Sequence, residues 1–260
     1  MSIIKGLETT FNSVYIEYDK WRPAYVKELY DDIFHVKEIN SSSNVLEVGI
    51  GTGQATLPIL ETGCSLTAIE LGDQLAEFSK HKFKNYDKFN VKNLAFQDFE
   101  CPPNSFDLIF SATAFHWIPE DIGYTKVFDM LKSGGVFARF ANHPYKDKKN
   151  NNIHIAFENI YAKYMPGSLV RDEYSEENAK NIADIAYKYG FIDISYKLYH
   201  RTRTFTADEY TLLLGTYSDH IAMEETTRMK FFNEIREAIN DNGGIITVYD
   251  TIDVQLARKP

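Results

Sequence analysis

Val45-Leu46-Glu47-Val48-Gly49-Ile50-Gly51-Thr52-Gly53 is the stretch on which the reading of this chain turns. A short apolar run leads into glycines, and the polar break Ser41-Ser42-Ser43-Asn44 stands in front of it. Such a run, bounded by turn residues, fits a buried parallel strand. Glycines directly after a strand let the backbone turn tightly and let a ligand approach the main chain. A helix expected from near Gln54 would aim its first N–H groups at a polar or anionic partner. Working outward, strands are expected at Ser65–Glu70, Val91–Phe96, Ser105–Ser111 and Gly135–Phe140. Helices are expected at Asp73–Phe83 and Ile122–Leu131, the second stopped by Ser133-Gly134-Gly135. This alternation implies βαβ units, a mostly parallel sheet and right-handed crossovers. The first 40 residues read as helices rich in Tyr and Trp. Residues Ala141–Tyr174 break the pattern, and Glu176–Tyr189 reads as a helix closed by Gly190. Ile192–Phe205 alternates as a long strand, Thr206–Asn240 is helical, and a last strand spans Ile245–Leu256 after the Gly243-Gly244 turn.

The glycine spacing narrows the ligand. Dinucleotide-binding loops run G-x-G-x-x-G, whereas here the third glycine comes one residue early and position 54 is Gln. Glu47 sits on the strand itself, where a carboxylate suits the amino group of an amino-acid ligand. Beside a pyrophosphate the same charge would repel. Glu70, ending the second strand, stands where a carboxylate accepts hydrogen bonds from ribose hydroxyls. Its bland alternative is an acid that favours a helix start. In Gln97-Asp98-Phe99, Asp98 suits an adenine amino group and Phe99 suits the ring face; the alternative is a plain turn with a core aromatic.

Composition sets outer bounds. The 260 residues suit one α/β domain with an elaboration. With 28 basic and 37 acidic side chains the net charge is -9, a surface that disfavours nucleic acid. Lys146, Lys148 and Lys149 form only a short basic cluster, read as a solvated loop. Cys64 and Cys101 lie outside any paired spacing, so neither a disulfide framework nor a metal site is expected. Two thiols and the lack of an export-like start point to the cytoplasm, and no apolar run reaches bilayer length.

VLEVGIGTGQAT (residues 45–56) resembles the first motif of class I S-adenosylmethionine methyltransferases, and Glu70 in AIELGDQL matches their acidic residue after the second strand. FQDFECPPNSFDLIFSATAFHWI (residues 96–118) resembles their adenine segment and fourth strand, and LKSGGVFARF (residues 131–140) their fifth. Together these cover about residues 44–140. Tyr18-Asp19-Lys20-Trp21-Arg22-Pro23-Ala24-Tyr25 and Thr204–His220 resemble segments of the trans-aconitate methyltransferase-like branch, although no proline follows Tyr25. The resemblance implies an α/β, Rossmann-like seven-stranded sheet in the order 3-2-1-4-5-7-6, last strand antiparallel, with helical lid insertions. It implies S-adenosyl-L-methionine as cofactor. Glu47, Gly49, Gly51, Gly53, Ser111 and Ala112 would surround its methionine part. Glu70 would hold the ribose, and Leu71, Asp98 and Phe99 would border the adenine. Tyr18 and Arg22 would close the site, Arg22 against the cofactor carboxylate.

Residues 1–40 are then expected to be a closing segment and 41–260 the catalytic domain, with inserts at about 141–175 and 206–240 forming a lid. Phe157, Tyr161, Tyr164, Tyr210 and Tyr217 in those inserts would exclude water. The partner is a small-molecule methyl acceptor, in keeping with a carboxylic acid; the oligomeric state is left open. His116, Tyr217 and His220 are the candidate catalytic residues, with Trp117 and His143 also on the acceptor side. Each has a packing alternative. Arg201 and Arg203 share a strand face, either to hold an acidic acceptor or as an exposed pair, and His200 reads as a plain strand residue. Methyl transfer requires alignment and the exclusion of water. A general base is needed only when the acceptor atom carries a proton; a carboxylate acceptor needs none. Two rival readings stay open here: a non-catalytic S-adenosylmethionine-binding protein, and an NAD-dependent dehydrogenase, against which the glycine register argues.

Overall fold

The computed structural model describes residues 10–167 and 172–260. After a 3-10 turn at Thr10–Val14 come α1 (Tyr15–Trp21) and α2 (Lys27–Val36). Then follow β1 (Asn44–Val48), α3 (Leu57–Leu60), β2 (Ser65–Glu70), α4 (Asp73–Lys82), β3 (Phe89–Asn93), β4 (Phe106–Ala112), α5 (Glu120–Met130) and β5 (Leu131–Tyr145). The C-terminal part holds α6 (Asn151–Tyr164), α7 (Glu176–Asp184), β6 (Ile192–Thr206), α8 (Ala207–Leu214), α9 (Ser218–Ile221), α10 (Glu225–Asp241) and β7 (Ile245–Arg258). The seven strands form one sheet in the order β3-β2-β1-β4-β5-β7-β6, with β7 antiparallel to both its neighbours.

Strand side chains alternate between two buried faces. Val45, Leu66, Ala68, Leu108, Phe110, Ala138, Phe140 and Val254 face α2, α3 and α4. Leu46, Val48, Ile69, Ile109 and Phe137 face α5. Phe110 and Phe140 stack with centroids 6.1 Å apart, and Tyr25 and Tyr30 meet Phe140 edge-on, fixing the N-terminal helices to the sheet. A third core joins α6, α8 and α10 to Phe205, Ile246 and Val248 on the far ends of β6 and β7.

Three local expectations are corrected. The helix expected near Gln54 starts only at Leu57 and lasts one turn. The loop before it passes through positive φ at Gly49, Gly51 and Gly53, which no helix tolerates. The third strand spans Phe89–Asn93, since Phe96–Asp98 coils into a 3-10 turn. The fifth strand runs from Leu131 to Tyr145, so Ala141–Tyr145 belongs to the sheet and not to an insert. Thr206–Asn240 is helical as expected, in three segments. The strand extension matters for function. β4 pairs with β5 only as far as Ala112 opposite Phe140, while β5 and β7 stay paired to Tyr145 opposite Tyr249. A three-stranded wall therefore rises beyond the ends of β1 and β4, and α6, α8 and α10 lean on it.

Phe110→Ala should destabilise the chain by about 3–5 kcal/mol, because a fully buried ring leaves a cavity between β4 and α2. Denaturant unfolding checks this; a loss below about 1 kcal/mol would mean the site collapses around the smaller side chain.

Candidate active site

Glu70 holds the centre of the site. One carboxylate oxygen accepts from Gly51 N at 2.8 Å and the other from Gly72 N at 2.9 Å. The end of β2 is thereby tied both to the glycine loop and to the start of α4. Gly49 N and Ile50 N also donate to Ile69 O, at 2.9 and 3.1 Å. Burial raises the Glu70 carboxyl above its ordinary value, opposed by these backbone donors. Leu71 beside it is exposed, an apolar surface at the mouth of the crevice.

Two of the glycines serve different ends. A Cβ on Gly49 would lie 2.4 Å from Ala114 Cβ, so the first loop and the end of β4 touch. A Cβ on Gly51 would meet only the Tyr18 ring, at 3.9 Å, so this stretch of main chain faces open space under α1. Glu47 points to the opposite side from Val48 and is buried against α3, where Thr56 Oγ1 donates to it at 2.8 Å. Burial pushes it up to about 8, with the nearby Glu70 charge adding to the rise. Ser111 is fully buried and donates to Val48 O at 2.8 Å, bracing β4 against β1, with Ala112 at the rim. Asp98 is exposed, and Phe99 is buried in the α5-side core.

The N-terminal segment crosses this crevice. Asn12 caps the start of α4, donating to Asp73 Oδ1 at 2.7 Å and accepting from Gln74 N at 2.9 Å. Lys82 pairs with Asp19 at 2.6 Å. At the other end, Arg22 donates to Thr216 Oγ1 at 2.9 Å and Thr216 O at 2.7 Å, and stacks on Tyr217 at 4.0 Å. Tyr18 lies between, with Arg22 over its ring at 5.0 Å. The segment is thus strung from α4 to the α8–α9 turn over the glycine loop.

The acceptor-side candidates do not converge. His116 is held down to about 4 by burial, with Arg139 and His143 adding to the effect. His220 is packed against Phe231 and meets Tyr161 Oη at 3.0 Å. Burial keeps the Tyr217 hydroxyl protonated far above neutrality. Trp117 borders Phe11, and His200 meets Thr251 Oγ1 at 3.4 Å. Arg201 and Arg203 are not an exposed pair: both bond the fully buried Asp250, at 3.1 and 2.5 Å. Arg201 also donates to Asn142 Oδ1 and Ala24 O.

Sequence reasoning passed over several residues. Thr113, just past β4, holds φ +56°, a strained setting for a β-branched residue. Its hydroxyl lies 2.6 Å from Tyr25 Oη and accepts from Asn142 N, locking the segment before α2 to β4 and β5. Nothing in the sequence signals that strain. Asp250 and Asp253 were legible as acids between the apolar residues of the final strand, a rare pattern unless paired. The described residues contain no group of three His, Cys, Asp or Glu arranged for a metal, and both cysteines are free. No described helix is long and apolar enough to cross a membrane.

Comparison with known proteins gives this geometry a family. Residues 45–135 match a model of the methyltransferase domain. The chain is 26% identical to a malonyl-[acyl-carrier protein] O-methyltransferase of Paenibacillus sp. over 226 residues, 79% of each chain. It is 29% identical to an uncharacterised methyltransferase of Bacillus mycoides over 199 residues, 67% of this chain and 91% of the other. The matched domain and these relatives support a class I S-adenosylmethionine-dependent methyltransferase. A structure assigned as a type II methyltransferase from Anaeromyxobacter dehalogenans superposes with TM-score 0.64 at 20% identity, covering 91% of this chain and 97% of the other. A Haemonchus contortus phosphoethanolamine N-methyltransferase bound to S-adenosyl-L-methionine gives TM-score 0.55 at 15% identity over all of this chain and 61% of the other. At these identities the likeness is one of fold.

The residues fit the methyltransferase cofactor, S-adenosylmethionine. The crevice offers a carboxylate at the end of β2 fixed by two backbone N–H groups, open main chain at Gly51 and an exposed Leu71 for an apolar ring face. Glu47 is a buried acid bonded only to a hydroxyl, and a positively charged ligand nearby would favour its ionised form.

Glu70→Ala should weaken S-adenosylhomocysteine binding by about 1–3 kcal/mol in calorimetry, the cost of lost charge-assisted hydrogen bonds. Unchanged affinity would remove Glu70 from cofactor binding. Glu47 makes a separate prediction. The unfolded carboxyl ionises near 4.5 and the folded one near 8, so the folded state binds more protons between them. Stability of the cofactor-free protein should fall as pH rises through that window. Glu47→Gln should flatten this slope and gain roughly a few kcal/mol over the parent above its upper end. Urea midpoints that track in parallel at both ends of the window would contradict this.

Proposed function

We propose that this methyltransferase acts on a small molecule carrying an acidic group, most simply a carboxylic acid. The observation that carries the reading is a surplus of guanidinium charge at the wall of the site. Arg201 and Arg203 share the single carboxylate of Asp250, and Arg22, on the roof beside them, bonds only to neutral groups. Tyr217 lies within electrostatic reach of Arg22, Arg203 and Asp250 together, which places these charges in one region. In a chain of net charge -9, such a cluster is unusual and suits a forked carboxylate. The resemblance of Tyr18–Tyr25 to the trans-aconitate-like branch supports the same class. So does the Paenibacillus relative, whose named acceptor carries a malonyl group.

In this reading residues 10–40 close over the cofactor, and α6 with α8–α10 form the lid above the acceptor. The bound sulfonium supplies both the methyl group and its leaving group. Glu70 and the glycine loop would hold the adenosine end, with Leu71 and Asp98 at its rim. Glu47, Gly49, Ser111 and Ala112 would shape the methionine end. Tyr18 and the aromatic ring of Tyr217 would exclude water, which strengthens every charge interaction inside. The arginines would align the acceptor, and alignment is the larger part of what such a displacement requires.

A panel of small carboxylic acids incubated with methyl-labelled S-adenosylmethionine tests this. Label should enter an acid, and Arg203→Gln should raise the acceptor KM by about tenfold or more while S-adenosylhomocysteine affinity stays unchanged. Label confined to neutral acceptors, with the arginine variant indistinguishable, would overturn the acidic-acceptor reading.

A further inference from the structure

On the other face of the same wall lies a polar unit that the reading so far does not use. Asp253 of β7 is buried to 4% side-chain exposure, yet its two oxygens receive four donors. Oδ1 accepts from Ala141 N at 2.9 Å and meets His143 Nε2 at 3.0 Å. Oδ2 accepts from Tyr174 Oη at 2.6 Å and from the Gln255 amide. The Tyr174 ring lies flat on the imidazole, with centroids 3.7 Å apart and planes 8° from parallel. His143 itself keeps 31% of its side chain exposed. A carboxylate fixes one ring nitrogen, an aromatic fixes the plane, and the rest of the imidazole is open. That is more organisation than a solvent-facing histidine requires.

Its place in the fold is equally specific. β5 loses its β4 partner after Phe140, and Asn142 N is pinned to Thr113 Oγ1 at the end of β4. His143 follows directly, on the edge that overlooks the ends of β1 and β4. His116, after β4, lies within electrostatic reach of it. Asn142 and His143 point to opposite faces, so the arginine cluster and the imidazole flank that edge from two sides.

We propose that His143 is the general base of the reaction, oriented by Asp253 and Tyr174, and that the methylated atom is protic, a hydroxyl or an amine. This rests on the methyl-transfer reading. A carboxylate forked by guanidinium groups has its lone pairs engaged, so the atom methylated lies elsewhere on the acceptor. An ionised carboxylate only accepts hydrogen bonds, so Asp253 keeps the proton on Nε2 and leaves the lone pair on Nδ1. As the acceptor atom bonds the methyl carbon, its proton passes to Nδ1. The carbon–sulfur bond breaks with its electron pair going to sulfur, and the sulfonium charge is replaced by the imidazolium charge. The other histidines suit this less: His116 is buried and held down, and His220 is packed away in the helical core.

Three readouts test the assignment. In histidine 15N spectra of the cofactor-free protein, His143 should carry its proton on Nε2; an Nδ1–H tautomer would overturn the proposal. Product from the labelled carboxylic-acid panel, treated with mild alkali, should keep its label, as an ether or methylamine does. Release as methanol would mean a methyl ester, and would overturn this inference while leaving the acidic-acceptor reading intact. No transfer to any acid would overturn both. His143→Gln should lower kcat by about 100-fold with S-adenosylhomocysteine affinity unchanged. The parent's pH–rate profile should show a rising limb that this variant loses. The charged and titratable groups facing the imidazole are Asp253 of β7, Tyr174 ahead of α7, Arg139 of β5 and His116 after β4. A variant within about twofold of the parent, with the limb retained, would assign that limb to one of them.

Discussion

Two hydrogen bonds from backbone to one carboxylate hold this site in shape. Glu70 bridges Gly51 and Gly72, joining the loop after β1 to the loop after β2, beside the β1–β4 junction where the strand order reverses. Open α/β sheets bind ligands at such switch points because loops on either side diverge there and leave a crevice. A carboxylate buried to this degree carries a desolvation penalty, and the backbone donors offset it. The result is a rim whose acid is held in place before any ligand arrives.

Everything above the rim is organised around the mismatch in strand length. β1 and β4 stop at the crevice, whereas β5, β7 and β6 continue. The extension lifts polar side chains above the ends of β1 and β4 and gives α6, α8 and α10 a surface to pack on. Asp250 and Asp253, three residues apart on β7, look to opposite faces of that wall. One gathers arginines, the other a histidine and a tyrosine. The same strand therefore supports both the arginine cluster that we propose selects an acceptor and the base that we assign to deprotonate it.

How much of this was legible in the sequence depended on whether a signal was local. β2 was expected at Ser65–Glu70 and stands there, because its apolar pattern is bounded by turn residues on both sides. The sheet order followed from the resemblance of successive motifs. The reach of β5 was hidden, since Ala141-Asn142-His143-Pro144-Tyr145 is polar and carries no strand periodicity. It is a strand because β7 pairs with it throughout. The stretch after Gly53 was read as helix because helical pattern was weighed without the positive φ that the loop demands. Arg201 and Arg203 were correctly placed on one face, but their partner lies almost fifty residues downstream, beyond any local pattern. Asp253 was missed for the same reason: a buried acid is visible in sequence, but the four donors around it are assembled only by the fold.

The central claim is that the crevice between the β1 and β2 loops grips an adenosine that bears an amino acid. A crystal structure with S-adenosylhomocysteine tests it most directly. The account predicts the ribose hydroxyls on the Glu70 carboxylate, the adenine against Leu71 and the amino-acid end beneath Tyr18. Ligand density elsewhere on the sheet, or a crevice filled by the Tyr18 and Leu71 side chains in the presence of saturating ligand, would contradict it.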